Sequence, residues 1–345
     1  MQVNTHWDKL QACVVGSAYP PEFYSFIDHA GIRSNLETIA QQTCEDLLAL
    51  QQLLESFDVE VTRPSVATNV DQVRYGSKIL PAPLTPRDHF GVIDTTLFMP
   101  TPDAHGNWRQ MQGQDWPKDP PQGIIEYDGH SIESLYNYDH SWMTALPDDY
   151  EHIVLDQDVD TAMVQRLGDT LLCGNWISQH AHISEYLTEQ FPDKTVKLLD
   201  TQGHLDGSVC CVSPELVFVA PGMESYFDSK HTEIHTLTNS VKILQNSLAK
   251  NNLGKWWLPD RLRHSEFDQY IESYLNHWLG DIQESYFDVN MLILDPANVV
   301  VSNYNDSVFR VLEQHGITAH VSPFRHHMFW DSGIHCLTND LDRQC

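Results

Sequence analysis

Four short motifs bring together the residue types needed to attack an electron-poor carbon. They are Thr85-Pro86-Arg87-Asp88, Asp160-Thr161-Ala162, Gly203-His204-Leu205-Asp206-Gly207 and Gly333-Ile334-His335-Cys336. Each follows, or lies within, a turn next to an expected strand, where repeated α/β units collect functional groups. Singly they have ordinary explanations: a solvated Asp in a turn, polarity at a strand edge, a packed late Cys. Together they form a set. A Cys nucleophile needs a proton-handling partner, a His supplies one, and a carboxylate fixes the imidazole. The remaining carboxylates call for a cation. A planar guanidinium offers paired N–H donors matched to carboxylates, and two Asp residues facing a sulfur would hold its central carbon for attack. The substrate this implies is arginine-like.

The elements that must carry these motifs repeat along the chain. Ser34 and Glu37 form a Ser-x-x-Glu box ahead of a helical apolar pattern, predicting a helix over 35–57 between strands at 12–16 and 59–63. A second unit pairs 164–167 with 170–173 around Gly168-Asp169, then gives a helix over 178–191 and a strand at 195–199. A third pairs 291–294 with 299–301, then gives a helix over 306–315 stopped by Gly316 and a strand at 317–321. Both later units read β-β-α-β, and such units must pack side by side, as a radial array or an open α/β sheet. Residues 100–121, rich in Pro, Gly, Gln, Asp and Trp, predict a long loop or lid. No linker divides the chain, so a single domain over 1–345 is expected.

The 345 residues include 48 acidic and 20 basic ones, a formal charge of −28, with 41% hydrophobic residues. That composition supports a large core and argues against nucleic-acid or membrane-surface partners, favouring cationic ligands. The absence of a membrane-length apolar run and of signal-peptide character makes cytoplasm the expected compartment. Seven scattered Cys without a C-x-x-C pair predict free thiols, with Cys13, Cys173, Cys210 and Cys211 as small buried hydrophobes.

The ordered set Pro-Arg-Asp, Asp-x-Ala, His-x-Asp and Gly-x-His-Cys-x-Thr resembles the amidinotransferases, a family that includes glycine amidinotransferase and inosamine-phosphate amidinotransferase. The resemblance runs from His6-Trp7-Asp8-Lys9-Leu10, with His6 where the family has Glu, to Leu341-Asp342-Arg343. It implies a five-bladed α/β propeller of β-β-α-β modules. It also implies Cys336 as nucleophile, His204 as general acid and base, and Asp160 as the residue orienting His204. Motif alone does not choose Asp160 over Asp156 or Asp158. Asp88 and Asp206 would grip the donor guanidinium, and Arg325 would help position the donor's carboxylate. The implied reaction moves the amidino group of arginine to an acceptor amine through a covalent Cys adduct, with no metal or organic cofactor. Its partners are small molecules, and a homodimer is left open.

Three departures stand out. Asp331 and Ser332 replace the glycines that the family places before Gly333. An ungapped reading puts Met223 where the glycine enzyme carries an Arg for its acceptor's carboxylate. Gln283-Glu284-Ser285 lacks that enzyme's paired Ser. The rival readings are an arginine deiminase-like hydrolase, disfavoured because no Glu-Gly-Gly-Asp step lies near Asp160, and a non-catalytic propeller that binds guanidino compounds.

Overall fold

Gly168 has φ +67° in the turn Gly168-Asp169, a left-handed conformation that glycine enters without a Cβ clash. The flanking strands pair antiparallel from Val164–Cys173 to Leu167–Thr170. This hairpin is one instance of a pattern used throughout the computed structural model. Its description covers residues 2–64, 66–75, 78–79, 82–88, 90–100, 151–155, 161–174, 183–201, 204–237, 265–271, 273 and 288–344.

The chain begins with β1 (Lys9–Val15), α1 (Ala30–Glu55) and β2 (Glu60–Thr62), followed by the short β3 (Arg74–Tyr75) and β4 (Lys78–Ile79). Next come β5 (Gly91–Ile93), β6 (Thr96–Pro100) and β7 (Glu151–Leu155), then β8 (Val164–Leu167), β9 (Thr170–Gly174), α2 (Ile183–Gln190) and β10 (Thr195–Leu199). They are followed by β11 (Val209–Ser213), β12 (Leu216–Val219), β13 (Glu233–Thr236) and α3 (Ser265–Tyr270). The last group is β14 (Leu292–Asp295), β15 (Asn298–Val301), α4 (Asp306–Gln314), β16 (Thr318–Val321), α5 (His327–Trp330) and β17 (Thr338–Gln344).

Among the described residues, five three-stranded sheets share one design: a central strand pairs antiparallel on one side and parallel on the other. The central strands are β1, β6, β9, β12 and β15. A parallel pair needs a crossover, and α1, α2 and α4 make it in three of the sheets. In four sheets the antiparallel partner immediately precedes the central strand. In the sheet centred on β1, that partner is β17, from the far end of the chain.

Helix α1 starts at Ala30, earlier than the sequence pattern predicts. His29 Nδ1 accepts a hydrogen bond from the Ile32 amide at 3.2 Å and serves as the cap. Ser34 and Glu37 therefore lie inside the helix. The buried face of α1 runs through Ile32, Leu36, Ile39, Thr43, Leu47, Leu50 and Leu54, a spacing that forms an apolar stripe. With Leu10, Cys13, Val15 and Phe329 it builds the largest core cluster among the described residues. Helix α2 matches its pattern over Ile183–Gln190, with 178–182 outside the described residues, and β10 matches its predicted range. The third unit lies within about one residue of expectation at its strands and helix. Cys13, Cys173, Cys210 and Cys211 are buried and unbridged. The proposed lid over 100–121 lies outside the described residues except for Pro100. No helix among the described residues is long and apolar enough to cross a membrane.

Candidate active site

The sheets receive their antiparallel strands from short turns, and those turns carry the candidate residues. Pro86–Asp88 forms a 3-10 turn before β5, Thr161–Met163 before β8, and Leu205–Gly207 before β11. Asn290 stands just ahead of β14, and Cys336 just ahead of β17. Side chains from non-adjacent segments can thus meet because they occupy equivalent places in repeated units. Thr161 Oγ1 ties two of the turns together by donating to the carbonyls of Arg87 and Phe90.

Asn290 brackets Cys336. Its Oδ1 accepts from the amides of His335 (2.8 Å) and Cys336 (3.1 Å), while its Nδ2 lies 3.0 Å from Cys336 Sγ and 3.3 Å from the Asp206 carbonyl. This close approach explains Gly333: a Cβ there would sit 2.4 Å from Asn290 Oδ1. The altered loop before it keeps a left-handed step, because Asp331 has φ +49° at the end of α5. Asp enters that region more readily than most side chains. Ser332 is fully buried.

Asp206 Oδ2 accepts from His335 Nδ1 at 2.8 Å and lies 3.4 Å from Cys336 Sγ. Asp206 Oδ1 is buried and has no hydrogen-bond partner among the described residues. His204 Nδ1 is 3.9 Å from Asp88 Oδ1, with the histidine more deeply buried than the aspartate. Burial pushes the Asp206 carboxyl up. The His335 hydrogen bond, with the charges of His335, His204 and Arg87, outweighs burial and brings it down to about 2. Burial and then Arg87 lower His335 to about 4, so its ring is neutral at pH 7. Burial, then Asp206 and Asp88, hold Cys336 well above the usual thiol range, against the hydrogen bonds of Gly333 and Asn290. The sulfur rests as a thiol.

Of the residues singled out in the sequence, Cys336 and Asp206 are in contact, and Asp88 stands beside His204. The electrostatic influence of Asp88 reaches Cys336, and that of His204 reaches Asp206. Asp160 lies outside the described residues. Arg325 is engaged elsewhere. Its Nε and backbone amide bond to Asp46 at 2.7 Å, and its Nη2 bonds to the Gln42 carbonyl and Glu45 Oε2 at 2.8 Å, all on α1. The guanidinium pins the segment before α5 to α1, and no contact brings it to the Cys336 cluster among the described residues. Met223 packs against a core cluster with Leu205, Val209 and Val219.

Sequence reasoning passed over Asn290, His335 as a partner of Asp206, and a second cluster beside the first. Asp340 is fully buried and holds Arg87 (3.0 Å) on Oδ1, with Arg166 (2.8 Å) and Arg343 (2.9 Å) on Oδ2. Arg87 also donates from Nε to the His335 carbonyl at 3.0 Å, joining the Pro-Arg-Asp turn to the Cys loop. The signal available was positional: Asn290 precedes its strand as Cys336 precedes β17.

No protein-family model and no curated protein sequence matches the chain. Its similarity is to solved structures. Inosamine-phosphate amidinotransferase from Streptomyces griseus superposes with a TM-score of 0.64 at 16% identity, over 100% of this chain and 97% of that one. SxtG, an amidinotransferase from Microseira wollei in the saxitoxin biosynthetic pathway, gives 0.60 at 14% identity, over 100% and 98%. DDAH from Pseudomonas aeruginosa, complexed with citrulline, gives 0.54 at 10% identity, over 96% and 100%. The chain has an amidinotransferase-like α/β fold.

Proposed function

We propose that the protein is an amidinotransferase that moves the amidino group of arginine to an acceptor amine through Cys336. One observation carries this reading: a buried thiol 3.4 Å from a carboxylate whose other oxygen has no partner among the described residues, with Asp88 and His204 beside it. Similarity to two amidinotransferases supports it. We read the five sheets as five blades around one axis, with β17 closing the ring on β1.

Arginine enters with its guanidinium on Asp88 and Asp206. Its positive charge offsets the two carboxylates that, with burial as the larger cause, hold Cys336 protonated, so the thiol ionises when substrate is present. The thiol proton passes to His204, sulfur bonds to the guanidinium carbon, and His204 returns the proton to the departing nitrogen as the C–N bond breaks. Ornithine leaves and the amidino group stays on sulfur. An acceptor amine then attacks that carbon and gives a proton to His204. The C–S bond breaks, and sulfur recovers the proton. By resemblance, Asp160 orients His204.

A hydrolytic reading also has support, because DDAH complexed with citrulline is among the similar structures. Incubation with arginine and an amine panel separates the two. Ornithine without ammonia is the expected product, and stoichiometric citrulline with ammonia would overturn transfer. An apolar Met223 at the position read for the glycine enzyme's carboxylate-binding Arg supports an acceptor other than glycine; kcat/KM for glycine should fall below that for an uncharged primary amine.

A further inference from the structure

Beside the catalytic cluster lies a small cavity with room for about one water molecule. His6, Gln165, Asp206, His335 and Arg343 line it, with Val209 and Met291 among its apolar walls, and Arg343 already donates to Asp340 and to the Asp8 carbonyl. His6, Gln165 and Asp206 are 5%, 3% and 2% exposed. Each carries a buried side-chain atom without a hydrogen-bond partner among the described residues: His6 Nε2, Gln165 Oε1 and Asp206 Oδ1.

The donor and acceptor roles follow from the remaining contacts. Arg166 Nη2 lies 3.4 Å from His6 Nδ1. A guanidinium can only donate, so Nδ1 accepts and the neutral ring carries its hydrogen on Nε2. Burial and Arg166 keep that ring neutral. Gln165 Nε2 donates to the Val209 carbonyl at 2.7 Å, which leaves Oε1 as an acceptor. Asp206 Oδ1 is an acceptor with two lone pairs, one of which remains for substrate. The unpartnered buried atoms of this lining are thus one donor and two acceptors. An anion cannot donate to the two oxygens, and an ammonium cannot accept from His6. Water does both.

We propose that this cavity binds one water, which accepts from His6 Nε2 and donates to Gln165 Oε1 and Asp206 Oδ1, making His6 and Gln165 positioning residues for the carboxylate beside Cys336. The proposal rests on the reading of Asp206 as a guanidinium ligand. Held from one side by His335 and from the other by the water, the carboxylate cannot rotate away from the sulfur.

A high-resolution crystal structure of the full chain should show a water within hydrogen-bond distance of all three atoms. His6→Phe fills similar volume without the donor. It should melt within a few degrees of the wild type yet raise KM for arginine about tenfold, the loss expected for one hydrogen bond's worth of preorganisation, with kcat within about threefold. His6→Gln, which restores an N–H, should return KM to within about threefold of wild type. A dry or ion-filled cavity, or an unchanged KM in His6→Phe, would overturn the proposal. If the wild type ignored arginine while holding this water, only the transferase reading would fail. Alkylation of Cys336 with iodoacetamide would then compare the variants: a changed rate in His6→Phe restored by His6→Gln would support the positioning role, and equal rates would overturn it.

Discussion

Cys336 and Asp340 lie close together near the start of β17, yet the charge around them follows opposite rules. Around Asp340, three guanidiniums converge on one carboxylate and both of its oxygens are engaged. Around Cys336, two carboxylates face a neutral thiol, and one oxygen of Asp206 has no partner among the described residues. The first cluster has more cations than anions and the second more anions than cations. Arg87 and Asp88, adjacent in sequence, belong one to each. Arg87 adds to the His335 and His204 interactions that keep Asp206 ionised, so negative charge stays beside the thiol. Buried charge closed on itself favours structure, whereas buried charge left unmatched favours binding.

Substitutions should separate the two behaviours. Cys336→Ser should lower amidino transfer by at least about a thousandfold, because a hydroxyl is a far weaker nucleophile than a thiolate near neutral pH. Its unfolding free energy in urea should stay within about 1 kcal/mol of wild type. A large stability loss there would break the division. Asp340→Asn should do the reverse, costing about 3 to 5 kcal/mol by leaving three buried arginines without their counter-ion. A mild shift in its denaturation midpoint would show that the arginine-rich cluster tolerates the loss.

Asp206→Asn tests the binding side more finely. Losing a charge-assisted contact of about 1.5 to 3 kcal/mol should reduce kcat/KM for arginine roughly tenfold to hundredfold. The same change removes an anion that holds the thiol protonated, so iodoacetamide should alkylate Cys336 faster at pH 7 than in the wild type. Slower alkylation would contradict the electrostatic account.

A smaller effect should follow pH. His335 takes up a proton only near 4 in the folded protein, against an ordinary value of 6.5. The unfolded chain thus binds that proton first as pH falls. The contribution of His335 to stability is complete above about 6.5 and drains away towards 4. Thermal melts across this range should show Tm falling with pH, with a shallower slope in His335→Gln. The least effect is expected for Arg325→Ala: about 1 kcal/mol of stability from a partly exposed pair, and KM for arginine within about twofold of wild type. A tenfold rise in KM would return Arg325 to the substrate site.

Much of the repeated architecture could be read from local chemistry. Gly168 and Gly316 mark their turns with left-handed backbone, and the alternation around them gives the strands. The start of α1 could not be read this way, because its cap is a histidine while a good capping box lies one turn inside. For the site, Cys336, His204, Asp206 and Asp88 stand out by type and motif. Arg87, Arg166, Arg343 and Asp340 do not, since an ion buried among ions looks in sequence like one on the surface. The same blindness hides β17. Its residues, TNDLDRQ, carry none of the apolar alternation of a strand, yet most are buried because Asp340 and Arg343 satisfy each other there.

On the proposed reading, that polar strand makes activity a late event in the life of the molecule. Pairing β17 with β1 spans nearly the whole described chain, a long-range closure that local folding cannot anticipate. Until it forms, the other four sheets could each be in place with Asp88, His204 and Asp206 on their turns, and the nucleophile would still be absent. A chain lacking that closure would carry the proposed guanidinium ligands without the proposed nucleophile beside them. On the same reading, detachment of β17 alone would suffice to abolish transfer.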